Sequence, residues 1–216
     1  MDKQRWKFIC NKIRAASIFL GTVLGLGAAL AGQRAICQAQ MPEASYRNRP
    51  LSQWIASLQT GHARDRTEAA YALGQIGDKA VRAVPLLVAV AEKDADNFVR
   101  AEAVSAMGTM GAPANSAVPS LIQLLKNDPN AGVRGAAATA LGRMWSDSGH
   151  LVSVLVAVLR EDKSAYVRGC AALALGRLET VAQAALPQLR NAAMKDPSPV
   201  VRRRADEAIQ RIDFVP

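Results

Sequence analysis

Apolar positions along the chain recur on a helical period. From Asn97 to Met110, the residues Val99, Ala103, Ala106, Met107 and Met110 fall on one side of a 3.6-residue turn, which predicts an amphipathic helix. The same phrase then returns at a fixed interval. Arg66, Arg100, Arg134, Arg168 and Arg202 stand 34 residues apart, and so do Gly74, Gly108, Gly142 and Gly176, and Ala72, Ala106, Ala140, Ala174 and Ala208. A period of this length marks a solenoid, whose units are each too small to bury their own apolar side and are stable only against their neighbours.

Within each period the pattern predicts two helices. Asp96, Asn130, Ser164 and Ser198 form a column of N-cap residues one position ahead of the second helix, each with an oxygen able to accept an orphan backbone N–H. Pro199 follows Ser198 at the first helical position, where its fixed φ and missing donor are tolerated. The first helix of each unit opens at Val84-Pro85, Val118-Pro119 and Leu186-Pro187, with Ser153 in that place in the fourth unit. Short turns make each pair antiparallel, so the expected fold is all-α: an α-solenoid of about five two-helix units near 48–77, 78–111, 112–145, 146–179 and 180–216. The glycines at 74, 108, 142 and 176 either end helices or permit close packing. Leu51, Trp54, Ile55 and Leu58 share one face, which places Trp54 to cover an otherwise open end. At the other end Asp206, Glu207 and Gln210 replace mostly small or apolar residues, so a polar face is expected to close the solenoid within this chain.

The head of the chain reads differently. Lys3, Arg5, Lys7, Lys12 and Arg14 oppose only Asp2, and residues 15–32 carry no charge at all. Residues 1–32 are therefore expected to be a signal peptide, with Ala29-Leu30-Ala31 as a cleavage pattern, or a membrane anchor; both leave the repeats outside the cytoplasm. Residues 33–47 contain Pro42 and no apolar period, which predicts a flexible linker.

Composition changes the picture at two points. Half of the residues are hydrophobic but only 5% are aromatic, so Ala, Val and Leu must fill the core. The net charge of +9 suggests nucleic acid until it is located: from residue 65 onward 18 Lys and Arg face 16 Asp and Glu, a balance of +2, and the other +7 lies in the first 64 residues. No nucleic-acid partner is expected of a nearly neutral solenoid. Cys10, Cys37 and Cys170 contain no CxxC and make no disulfide framework; Cys170 reads as a small core residue.

The charges that remain are ordered. Asp94, Asp128, Asp162 and Asp196 form an acidic column, each six residues ahead of Arg100, Arg134, Arg168 and Arg202, which predicts a ladder tying turn to helix and unit to unit rather than a phosphate site. A second basic column, Arg143, Arg177 and Arg211, lies on the helix rim, where Gln75 and Thr109 stand in earlier units. Chemistry has little to build on. His62 and His150 sit in separate turns with no carboxylate or cysteine at ligand spacing, and no nucleophilic triad or phosphate loop is present, so no catalytic residue, cofactor or metal is expected and the chain is read as a non-enzyme.

The phrase Val-Arg-x-x-Ala-x-x-Ala-Leu-Gly, complete in Val167–Gly176, resembles the HEAT-repeat superfamily, most closely its short phycobilisome-lyase HEAT-like units, over about residues 48 to 213. The stretch from Tyr46 to Ile55 resembles the entry to exported bacterial HEAT-repeat proteins. This resemblance implies that second helices line the concave side, so that Tyr71, Ser105, Thr139, Leu173 and Glu207 point toward it beside Arg143, Arg177 and Arg211, with Trp145 as a loop anchor or contact residue. The function it implies is a scaffold that binds a protein or peptide along that face, and the arginines at one end suit an acidic or extended peptide. Two alternatives stand beside it: a bilin lyase or lyase-associated subunit, against which the export signal argues, and a structural component of an envelope complex.

Overall fold

Ten α-helices follow one another in antiparallel pairs among the residues that the computed structural model describes, 43–144 and 149–213. The expected signal or anchor, the first two thirds of the expected linker, and Trp145 lie outside them. The pairs are α1 (Leu51–Thr60) with α2 (Ala63–Ile76), α3 (Val84–Lys93) with α4 (Asn97–Met110), α5 (Val118–Asn127) with α6 (Ala131–Leu141), α7 (Gly149–Glu161) with α8 (Ala165–Arg177), and α9 (Leu186–Lys195) with α10 (Pro199–Asp213). Short 3-10 segments of six or seven residues, about two turns each, at Gly77–Ala83, Ala112–Ala117 and Glu179–Ala185 lead into α3, α5 and α9. Those three helices carry proline in the first turn; α7 lacks it and is longer, at 13 residues against 10.

The column of expected N-caps divides. The side chains of Asp96 and Asn130 accept the backbone N–H groups two and three residues on, at 2.7 and 3.4 Å in both cases. Ser164 holds the cap position of α8 without making that bond; its own N–H donates to Asp162 at 2.8 Å, as the N–H groups of Asp96 and Asn130 do to Asp94 and Asp128. Ser198 donates to Asp196 in the same way.

The fold also begins before the helical period does. Ser45–Tyr46 (β1) pairs antiparallel with Arg49–Pro50 (β2) across a turn in which Arg47 and Asn48 take φ of 49° and 59°, so the expected linker is ordered over its last residues. The cause is local. Trp54 is buried in α1, its indole N–H donates to the Tyr46 carbonyl at 3.3 Å, and the Arg49 guanidinium lies 4.3 Å above its ring.

Second helices pack directly on second helices: α2 on α4, α4 on α6, α6 on α8 and α8 on α10. The glycine column makes this possible. A Cβ on Gly74 would stand 2.9 Å from the Ala106 Cα, and on Gly108, Gly142 and Gly176 it would stand 2.7, 2.8 and 2.8 Å from the Cα of Ala140, Ala174 and Ala208. All four therefore permit close packing, while the helix-ending glycines with left-handed φ are Gly77 and Gly111. First helices touch one another far less, so the second-helix layer is the tighter one, on the side that the family resemblance expects to be concave.

Charge ties the same units together. Arg66, Arg100, Arg134 and Arg168 each grip with Nε and Nη2 the carboxylate 28 residues further on, that of Asp94, Asp128, Asp162 and Asp196, at 2.7–3.1 Å. From Arg100 to Arg202, Nη1 also donates to the backbone carbonyl of the aspartate six residues back, at 2.7–2.9 Å. Each inner aspartate thus takes one arginine on its carboxylate and another on its carbonyl. These pairs are largely sheltered; at Arg134–Asp162 the side chains are 5% and 10% exposed. The Arg66 and Arg168 guanidiniums, each opposed by burial, hold Asp94 and Asp196 below the usual carboxylate range. At Asp162 burial pushes upward, and Arg134 with the Ser164 N–H outweighs it.

Three outcomes follow from this packing. Arg134→Ala strands a buried carboxylate and is expected to cost about 3 kcal/mol in denaturant unfolding, against about 1 kcal/mol for Arg202→Ala, whose Nη1 bonds only backbone carbonyls. Gly108→Val forces the α4–α6 backbones apart and is expected to cost at least about 2 kcal/mol by the same measurement. The depressed aspartates contribute stability that is complete above the ordinary carboxylate pKa near 4 and is lost as pH falls through their lower folded values, so the melting temperature should drop steeply below about pH 4.

Candidate partner-binding face

Along each second helix, positions three and four apart form one stripe that the stack leaves mostly uncovered; in α8 Cys170 is buried within it, as a small core residue. In α8 the stripe is Tyr166, Cys170, Leu173 and Arg177, and the 34-residue period repeats it in every unit. Side by side the stripes make a grid on the inner layer. Its floor is Glu68, Glu102, Ala136, Cys170 and Arg204 in one row and Tyr71, Ser105, Thr139, Leu173 and Glu207 in the next.

Most of the expected face residues meet on this grid. Ser105, Thr139, Leu173 and Glu207 are half-buried in it, with the Thr139 hydroxyl donating to the Gly135 carbonyl at 2.9 Å. Tyr71 is exposed but engaged: its ring meets that of Tyr46 edge-on with centroids 6.1 Å apart, and the hydrogen bond to Tyr46 raises its pKa. Tyr71 therefore belongs partly to the closure made by the hairpin. Trp145 falls outside the described residues.

Arg143, Arg177 and Arg211 line the edge of the grid formed by the last turns. Arg143 and Arg211 are exposed and Arg177, between them, is half-buried. Burial pushes the Arg177 guanidinium below its ordinary pKa, and repulsion from Arg143 and Arg211 pushes it further. No carboxylate among the described residues pairs with any of the three. The contrast with the ladder is direct, since each arginine from 66 to 168 holds an aspartate.

The opposite edge was not singled out by the sequence. Arg64, Phe98, Gly132, Tyr166 and Val200 run along the first turns at the same 34-residue interval. Phe98 is 71% exposed, Tyr166 53% and Val200 44%. The signal was available in the period, but the residue types change from unit to unit and Gly132 interrupts them. The half-buried Glu102 carboxyl in the floor has its pKa raised by burial.

The histidines do not join this arrangement. His62 precedes α2 and takes an N–H···O bond to Asp65 at 3.3 Å, while His150 lies in the first turn of α7; among the described residues no three His, Cys, Asp or Glu side chains are grouped to hold a metal. Among the same residues no helix is long and apolar enough to cross a membrane.

No curated protein matches the chain in sequence. Among solved structures, the complex of CpcE and CpcF of phycocyanin lyase from Nostoc sp. PCC7120 superposes with a TM-score of 0.60 at 22% identity, over 73% of this chain and 96% of that one. That likeness is one of fold. HEAT repeats match residues 51–142 and 118–210, which together take in every helix from α1 to most of α10. The chain belongs to the HEAT-repeat family.

Proposed function

We propose that this chain is a non-catalytic scaffold that binds a protein partner along the inner, second-helix face and acts outside the cytoplasm. The observation that carries the reading is the column of Arg143, Arg177 and Arg211, which no carboxylate among the described residues pairs, beside a ladder in which Arg66, Arg100, Arg134 and Arg168 each hold an aspartate. Three stacked guanidiniums repel one another, and a partner's carboxylates relieve that repulsion on binding. HEAT repeats along nearly the whole described chain support a binding role, because stacked hairpins offer an extended surface and little else. Placement outside the cytoplasm rests on the basic segment and the uncharged residues 15–32 that precede the repeats.

A second reading takes support from the fold likeness to the phycocyanin lyase complex: a lyase subunit that handles a bilin. Co-expression with a bilin and its acceptor protein separates the two, since visible absorbance on the acceptor that depends on this chain favours the lyase.

A photocrosslinker at position 177 is expected to capture a defined partner, whereas one at Lys126 on α5 captures none. Loss of capture in Arg211→Glu ties the contact to the arginine edge. N-terminal sequencing of the native protein from fractionated cells is expected to find it outside the cytoplasm, beginning after residue 31 if the head is cleaved.

A further inference from the structure

The inner face has two unlike edges, and their chemistry describes what fits between them. Four of the seven most exposed large hydrophobic side chains among the described residues, Tyr71, Phe98, Tyr166 and Val200, lie on this one face. Scattered apolar exposure is ordinary; its concentration on a charged face is not. Tyr166 is also held in place. Its ring covers Gly135 so closely that a Cβ there would stand 2.3 Å from the Tyr166 Cε1, which makes the ring a fixed wall of the face. The Arg204 guanidinium lies 3.9 Å from the Cys170 sulfur, in the floor row next to Tyr166 and Val200.

We propose that this face takes an extended segment of a partner protein in which acidic and large apolar side chains alternate. The carboxylates lie on Arg143, Arg177 and Arg211, and the apolar side chains lie against Tyr166 and Val200. The proposal rests on the scaffold reading and specifies its ligand.

Dimensions support this occupant. Tyr166 and Arg177 are 11 residues apart on one helix, so at 1.5 Å per residue the edges stand about 16 Å apart, enough for one extended chain with side chains to both sides. Helices packed through glycine and alanine lie about 8–10 Å apart, so Arg143 to Arg211 spans about 16–20 Å. A segment of about six residues covers that distance at about 3.3 Å each. Its side chains alternate, so about three face the arginines and three the apolar edge. A helix would present its side chains in a 3.6-residue period, which does not match two edges that call for alternation. A flat anionic bilayer meets the rims of an inward-bending layer before it reaches the floor. Nucleic acid finds no apolar-edge partner beyond stacking and meets Glu102 and Glu207 in the floor.

The test uses the full chain and three fluorescein-labelled octapeptides, read by anisotropy. One alternates Glu and Leu, one holds the same residues in two blocks, and one alternates Lys and Leu. The alternating Glu–Leu peptide is expected to bind at least tenfold more tightly than either other and to weaken as salt is raised. Arg177→Glu and, in case burial at 177 disturbs folding, the exposed Arg211→Glu should each weaken it at least tenfold. Tyr166→Ala should weaken it several-fold without changing its salt dependence, and Lys126→Glu should change nothing. Equal binding of the alternating and blocked peptides overturns the proposal, as does binding to phosphatidylglycerol vesicles that excludes the peptide. A partner captured at position 177 whose crosslinked segment is helical or basic also overturns it while leaving the scaffold reading intact.

Discussion

The contact of glycine on alanine between successive second helices is the constraint from which the rest of the architecture follows. At each crossing one helix leaves out a side chain and the next supplies only a methyl group, so backbones approach to a distance that any larger pair forbids. A tight second-helix layer beside a looser first-helix layer favours curvature toward the second helices. The stripes that the stack leaves uncovered then face one another across an inner surface, and the 34-residue period aligns them into rows. A binding face is thus a by-product of how the hairpins are pressed together.

The arginine–aspartate ladder acts on a different property. Taking charged groups out of water offsets much of their attraction, so these pairs do not by themselves account for the cohesion of the stack. What they supply is register. An aspartate accepts the preceding unit's guanidinium on its carboxylate, its own unit's guanidinium on its backbone carbonyl, and a backbone N–H from two residues on. A hairpin slipped by one helical turn would lose the first of these, the bidentate pair between units, and apolar packing among alanines penalises such a slip only weakly.

How much of this was legible follows from what a period can encode. Identical residues at 34-residue spacing exposed the ladder, the glycine crossings and the unpaired arginine column, because each repeats the same solution to the same contact. Features that occur once leave no such trace. The hairpin at Ser45–Pro50 rests on two-residue strands too short for any pattern, and it draws Tyr46 onto Tyr71, which period alone left as an open contact residue. Ser164 occupies a capping position by alignment, yet its side chain does not cap, although the Asp162 carboxylate takes its N–H just as Asp94 and Asp128 take those of the capping Asp96 and Asn130. The apolar edge was missed for a related reason: Phe98, Tyr166 and Val200 share a place but not a residue type, and what they share is exposure, which only the packed structure reveals.

The ladder reaches 28 residues along the chain, and the glycine contacts, such as Gly74 to Ala106, reach 32. Each hairpin therefore finds its chief partners in the segment made just before it. No distant strand has to arrive for an early unit to close, so loop-closure entropy stays small and folding can advance in order of synthesis. A chain emerging from a narrow exit can consolidate behind itself, hairpin by hairpin, with little apolar surface left waiting for a late partner.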